Sequence, residues 1–173
     1  MTLDDRELRF LAEALSQLQA YLISNELYWP LSGSLPRLTP GALLLSLKCV
    51  SVTHPERAQK LLKQFEAIRA KWQTAWGKKI AREISTRLRL WSNFISDYAT
   101  AAERTAESYP AEVRGRAILQ LLLLELPDLS VSTPLLELDA ALKTHLSPHE
   151  FLWDTELQAV FPKADFWFLY GKL

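Results

Sequence analysis

This chain has one cysteine, five glycines and no formal net charge among its 173 residues. The single cysteine, Cys49, excludes an internal disulfide and is typical of a reducing compartment. Because glycine and β-branched residues are scarce, a large sheet with tight turns is not expected. A net charge of zero argues against binding of nucleic acid by the chain as a whole.

Long apolar runs and targeting signals are also missing. No uncharged stretch approaches the length of about 20 residues that a membrane-spanning helix needs, so no membrane segment is expected. The first residues, MTLDDREL, are acidic where a signal peptide is basic, and no apolar core follows them. Together with the single cysteine, these features predict a cytoplasmic location. Internal repeats and low-complexity segments are absent from the sequence.

The dominant pattern in the sequence is helical and covers residues 56–107. Large apolar residues recur there every three or four positions, which marks one face of a helix, and no proline interrupts them. A helix of about 50 residues would extend about 75 Å, whereas a compact domain of this length is about 40 Å across. The helix must therefore project, pair with another chain, or break.

Gly77 is the expected position of any break, because glycine costs about 1 kcal/mol relative to alanine inside a helix. However, Trp72, Trp76, Ile80 and Ile84 keep the same helical phase across Gly77. No Ser, Thr, Asp or Asn follows it to cap a new helix. We therefore expect a continuous helix, bent or straight, with a break at Gly77 as the alternative.

Shorter helices are predicted on both sides of the central one. Leucines spaced three or four residues apart predict a first helix that ends near Leu27. Thr39 and Pro40 form an N-cap and first-turn pair that opens a second helix, which is apolar on nearly every side and should be buried. Tyr109 and Pro110 are expected to end the central helix and begin the next. The predicted fold is an all-α single domain, residues 1–173, with about six helices around the long one.

The face of the central helix opposite the apolar residues carries Lys71, Lys78, Arg82 and Arg89. Like charges spaced along a helix could bind a phosphate backbone or an acidic protein surface. The ordinary interpretation is a solvated face without a ligand. Basic residues outnumber acidic ones over residues 67–102, and the reverse holds from 103 onwards, so the C-terminal half could also neutralise this face.

The end of the chain carries five consecutive large apolar residues. The ordinary interpretation is a last helical turn packed into the core. The alternative is a docking segment for a partner, with Phe166, Trp167, Phe168 and Tyr170 as its contact residues.

Candidate catalytic and metal-binding pairs have weak support. Cys49 and His54 resemble a nucleophile and a base, but the C-terminal end of a helix raises the pKa of a thiol. His145 and His149 are four residues apart, which is the spacing of two metal ligands on one helical face. However, Ser147 and Pro148 lie between them and are expected to end that helix, and a metal site needs three or four converging ligands. The six tryptophans could line a pocket for an apolar ligand, although core packing is the ordinary explanation for those in the apolar face.

These patterns favour a non-catalytic interaction module, an adaptor or scaffold that binds a protein partner and forms a homodimer through its long helix. No catalytic residue, metal or cofactor is assigned. The second hypothesis is a helical protein that binds nucleic acid through the basic face, and the third is an enzyme or carrier with an internal apolar pocket.

Overall fold

The computed structural model describes residues 3–126 and 132–173, and most of them are helical. These residues contain six α-helices, α1 (Leu3–Ile23), α2 (Pro40–Thr53), α3 (Pro55–Lys71), α4 (Gln73–Thr100), α5 (Ala102–Glu125) and α6 (Ser132–Lys143). Within the described ranges, the only strands are the antiparallel pair β1 (Ser147–Pro148) and β2 (Gly171–Lys172). Short 3-10 helices lie at Thr155–Ala159 and at Trp167–Tyr170. The predicted all-α fold with about six helices is confirmed.

The chain forms two compact units, Met1–Glu83 and Ile84–Leu173. The first is unit 1 and the second is unit 2. The single domain over 1–173 stays a prediction. None of the helices in the described ranges combines the length and apolar character needed to cross a membrane.

The core of unit 1 is built by α1, α2 and α3, which pack against one another. The apolar face of α1 is buried as its leucine spacing predicts, from Phe10 to Leu22. Helix α2 begins as predicted, because the Thr39 side chain accepts a hydrogen bond of 3.1 Å from the Ala42 amide and Pro40 follows the cap. Seven of its 14 residues are buried, and they include three leucines and Val50 of its apolar sequence.

The predicted continuous helix over 56–107 is wrong in extent, because it breaks first at Trp72. Trp72 has φ −116° and ψ 32°, outside the helical region. Its amide still donates to the Ile68 carbonyl at 3.0 Å, and its own carbonyl accepts from the Trp76 amide at 2.9 Å, so the turn costs few hydrogen bonds. The long helix α4 consequently has 28 residues.

Aromatic packing explains why the break occurs at Trp72 and not at Gly77, which lies inside α4. A straight helix would separate the Cα atoms of residues 65 and 76 by about 17 Å. The rings of Phe65 and Trp76 are instead in edge contact, 5.1 Å between centroids, and both side chains are buried. The turn at Trp72 accompanies the contact and burial of these two rings, and such burial contributes several kcal/mol, more than the regular geometry lost at one residue.

A second break, at Ala101, separates α4 from α5, and the boundary predicted at Tyr109 and Pro110 is wrong. Pro110 lies inside α5, although proline in a helix interior costs about 3 kcal/mol. Tyr109 is buried, its ring lies 6.1 Å from that of Phe94, and its hydroxyl donates to the Phe168 carbonyl at 2.6 Å. These tertiary contacts hold the residues before Pro110 in the helix.

The core of unit 2 includes a buried ion pair between Arg116 of α5 and Asp139 of α6. The guanidinium donates twice to the carboxylate, Nε to Oδ1 at 3.1 Å and Nη2 to Oδ2 at 2.7 Å. It also lies over the Phe168 ring, 4.4 Å from the centroid. Arg116 therefore joins α5, α6 and the C-terminal 3-10 helix.

Candidate binding cleft

A cleft of about 690 Å³ opens in unit 1 where the C-terminal end of α1 meets the junction between α3 and α4. Its walls are formed by residues 22–25 and 70–75, together with Lys78, Lys79 and Arg82 of α4. A cavity of this size is within the range of small-ligand and peptide side-chain sites, about 300–1,000 Å³. The residues of the α3–α4 break at Trp72 form part of the wall.

The charge of the cleft is of one sign. Lys71, Lys78, Lys79 and Arg82 line it, and no aspartate or glutamate is found among the described residues of its walls. Lys78 and Arg82 are four positions apart on α4, so they are neighbours on one helical face and repel each other by about 0.2–0.5 kcal/mol. An anion in the cleft would remove this repulsion.

The structure divides the basic face that the sequence predicts. Lys71, Lys78 and Arg82 are exposed and all line the cleft. Arg89 is also exposed but belongs to unit 2, where it lines a separate cleft of about 570 Å³ that includes Glu137 of α6. Three of the four predicted residues therefore line one cleft, whereas Arg89 is an exposed basic residue outside it.

Lys79 is the basic residue that the sequence analysis missed. Its exposed fraction is 4%, and its ammonium donates to the carbonyls of Ser24, at 2.9 Å, and Glu26. It also lies over the Tyr21 ring, 4.2 Å from the centroid. These carbonyls follow the C-terminal end of α1, where the helix dipole favours a cation. Burial, assisted by the neighbouring Arg82, lowers the pKa of Lys79.

The position of Lys79 was visible in the spacing, because it follows Trp76 by three residues and Trp72 by seven. Both intervals place a side chain on the same helical face. A lysine at such a position needs hydrogen-bond acceptors when it is buried. This spacing marks Lys79 as structural, but the sequence alone could not identify the carbonyls that receive its protons.

Glu83, one helical turn after Lys79, binds the opposite end of the α1–α2 connection. Its side chain is fully buried. Oε1 accepts a hydrogen bond of 2.8 Å from the Thr39 hydroxyl, and Oε2 accepts one of 2.7 Å from the Gly41 amide. The carboxylate therefore lies at the N-terminal end of α2, where the helix dipole stabilises negative charge.

Arg82 completes a set of polar contacts from one turn of α4. Its Nη1 donates to the Asn25 carbonyl at 2.7 Å. Lys79 and Arg82 thus hold the beginning of the connection between α1 and α2, and Glu83 holds its end. Because Ser24 and Asn25 form part of the cleft wall, this turn of α4 also fixes the shape of the candidate site.

The apolar part of the cleft contains Ile23 and Trp72. Ile23, the last residue of α1, is 62% exposed, and Trp72 is half-buried. The indole nitrogen of Trp72 is buried without a hydrogen-bond partner among the described residues. Trp76 and Trp91, which the sequence placed in the same apolar face, are core residues.

Of the other candidate residues, Cys49 and His54 lie in unit 1, and His145 and His149 lie in unit 2. Cys49 is half-buried in α2, and the His54 ring contacts the Thr53 hydroxyl at 3.0 Å. The His145 ring packs against Tyr98, and His149 contacts the Glu150 carbonyl. In residues 3–126 and 132–173, no group of three or more His, Cys, Asp or Glu side chains could hold a metal ion.

The C-terminal aromatic segment forms part of the core of unit 2. Phe166 and Phe168 are buried, whereas Trp167 and Tyr170 are half-buried. The Tyr170 hydroxyl donates to the Phe161 carbonyl at 2.8 Å, and the ammonium of Lys143 lies 4.5 Å from the Trp167 ring centroid. Phe166 and Phe168 therefore pack in the core of unit 2, and docking of a partner on this segment stays a prediction.

The chain matches no protein-family model, no curated protein and no solved structure. Its function must therefore be inferred from the chemistry of its own side chains. The basic cleft is the described site in which exposed residues of one charge converge on a cavity of ligand size.

Proposed function

We propose that the protein is a non-catalytic interaction module that binds an acidic segment of a partner protein in the basic cleft of unit 1. The observation that carries this proposal is the composition of the cleft walls, whose described residues include four lysines or arginines and no aspartate or glutamate. A cleft lined by one sign of charge raises the local concentration of oppositely charged ligands and accelerates their association.

The polar groups of the cleft suit binding better than acid–base chemistry. Its titratable side chains are three lysines and one arginine. Lys79, whose pKa is lowered, is hydrogen-bonded to the carbonyls of Ser24 and Glu26 and so holds the fold together.

An acidic protein segment is favoured over nucleic acid, which is the alternative. A phosphate backbone is bound by basic residues spread along an extended track. Here Lys71, Lys78 and Arg82 converge on one cleft, part of which is apolar, and the net charge of the chain is zero. A short acidic segment fits three neighbouring cations and an apolar wall better than a continuous polyanion does.

Self-association stays a prediction. It was predicted from an expected central helix of about 75 Å, but α4 has 28 residues and is therefore about 42 Å long. This length is close to the width expected for a compact domain of this size, so helix length no longer requires a second copy. Light scattering after size-exclusion chromatography tests the homodimer directly.

The binding proposal is tested by fluorescence anisotropy with a labelled acidic peptide and a labelled single-stranded DNA of equal charge. The double variant Lys71→Glu, Lys78→Glu should weaken peptide binding at least about tenfold, because each reversal replaces attraction with repulsion. Arg89→Glu makes the same kind of change outside the cleft and should alter the affinity by less than about twofold.

Two results would overturn the proposal. The first is an equal loss of peptide affinity in Arg89→Glu and in a single cleft variant such as Lys78→Glu, which would make the attraction non-specific. The second is tighter binding of the DNA than of the peptide, with a steep loss of affinity between about 50 mM and about 200 mM salt. That result, if the cleft variants abolish it, would favour the nucleic-acid alternative.

A further inference from the structure

The basic cleft has an apolar wall that charge attraction does not explain. Ile23 is 62% exposed at the end of α1, and it lines the cleft together with the half-buried Trp72. Leu22, the preceding residue, is buried and anchors the end of α1 in the core. The backbone that carries Ile23 is therefore anchored beside the basic residues.

Charge alone would make the cleft an unselective site. Exposed ion pairs are screened at physiological salt and contribute little affinity each. In most interfaces, selectivity and affinity come from an apolar anchor that is buried at the centre of a polar rim. Lys71, Lys78 and Arg82 are exposed and suit such a rim, and Ile23 with Trp72 provides the apolar surface that an anchor would cover.

We infer that the partner segment carries a large aliphatic or aromatic side chain beside its acidic residues, and that this side chain packs on Ile23 and Trp72. This inference rests on the proposed function and specifies its ligand. Lys78 and Arg82, one helical turn apart on α4, receive the carboxylates, and the end of α1 receives the apolar group. Covering the exposed surface of Ile23 should strengthen binding by about tenfold.

The experiment compares two labelled peptides of equal length and charge, which differ in one position that is leucine in one and serine in the other. The wild-type protein should bind the leucine peptide about tenfold more tightly. Ile23→Ser should remove most of this preference, because only Trp72 then remains in the apolar wall, and it should leave the affinity for the serine peptide unchanged. Lys78→Glu should weaken the binding of both peptides by the same factor.

Leu62→Ser is the matched control, because Leu62 is also an exposed apolar residue of unit 1, 42% exposed, but lies outside the cleft. This variant should keep the full preference for the leucine peptide. The thermal unfolding of Ile23→Ser should stay close to that of the wild type, since most of the side chain is already in water.

The outcomes separate this inference from the proposed function. If wild type binds both peptides equally, or if Ile23→Ser keeps the preference, the apolar anchor is wrong and the acidic-segment proposal stands. If neither peptide binds, or if Lys78→Glu has no effect on either, the proposed function itself is wrong.

Discussion

Replacing Lys79 with methionine tests the polar contacts that one turn of α4 makes with the α1–α2 connection. Methionine keeps the length and the apolar stem of lysine but removes the ammonium. The substitution therefore leaves the carbonyls of Ser24 and Glu26 without their charged donor and removes the cation from the C-terminal end of α1.

The expected loss follows from three opposing contributions. Hydrogen bonds to a charged donor contribute about 1.5–3 kcal/mol, and a cation at a helix C-terminus adds about 0.3–1 kcal/mol. In the opposite direction, methionine avoids the desolvation of a buried ammonium, and this desolvation also lowers the pKa of Lys79. We expect the free energy of unfolding to fall by about 2 kcal/mol.

Urea unfolding, followed by circular dichroism and by amide hydrogen exchange at residues 24–26, measures this loss. In thermal unfolding it corresponds to a decrease in Tm of about 4–8 °C for a chain of this size. Lys78→Met is the matched control, because Lys78 is the exposed neighbour of Lys79 and its removal should change stability by less than about 0.5 kcal/mol. Equal effects of the two substitutions would refute the structural role of Lys79.

Three further predictions concern buried polar groups. Glu83→Gln should lower the free energy of unfolding by about 1–3 kcal/mol, measured in urea, because the neutral amide weakens two hydrogen bonds at the start of α2; an unchanged midpoint would contradict this. Burial raises the pKa of the Tyr21 hydroxyl, so its stabilising contribution is complete below about pH 10 and falls as the pH rises further. In urea titrations, the difference in stability between wild type and Tyr21→Phe should therefore shrink above pH ~10. A difference that stays constant would contradict this prediction. Arg116→Met should lower the free energy of unfolding by about 3–5 kcal/mol in calorimetry, because it leaves Asp139 buried without its cation. Combining Arg116→Met with Asp139→Leu should recover most of that loss. A double variant no more stable than the single one would show that the pair contributes more than mutual neutralisation.

Much of the fold followed from local sequence patterns. The leucine spacing of α1 and the Thr39–Pro40 start of α2 depend on interactions within a few residues of one another, so the sequence displays them directly. The ends of the central helix do not follow from such local patterns. The contacts between Phe65 and Trp76, and between Phe94 and Tyr109, join residues that a straight helix would hold about 17 Å and about 22 Å apart.

The candidate site was only partly predictable for the same reason. Helical periodicity placed Lys71, Lys78 and Arg82 on one face, and all three line the cleft. Arg89 met the same criterion but belongs to unit 2. Periodicity reports the direction of a side chain from its own helix, whereas the surface opposite that side chain is supplied by other parts of the chain.

By itself, the sequence determined the helical class, the apolar faces and the positions of the basic residues, because these depend on composition and on spacing along one helix. Only the tertiary structure decided where the long pattern breaks, which lysine is buried, and which basic residues share a cavity. Those features depend on contacts between residues distant in sequence, such as the contact of Lys79 with the end of α1. Trp72 illustrates the difference, because its helical phase predicts a continuous helix, whereas the burial of Phe65 against Trp76 turns the chain there and opens the cleft.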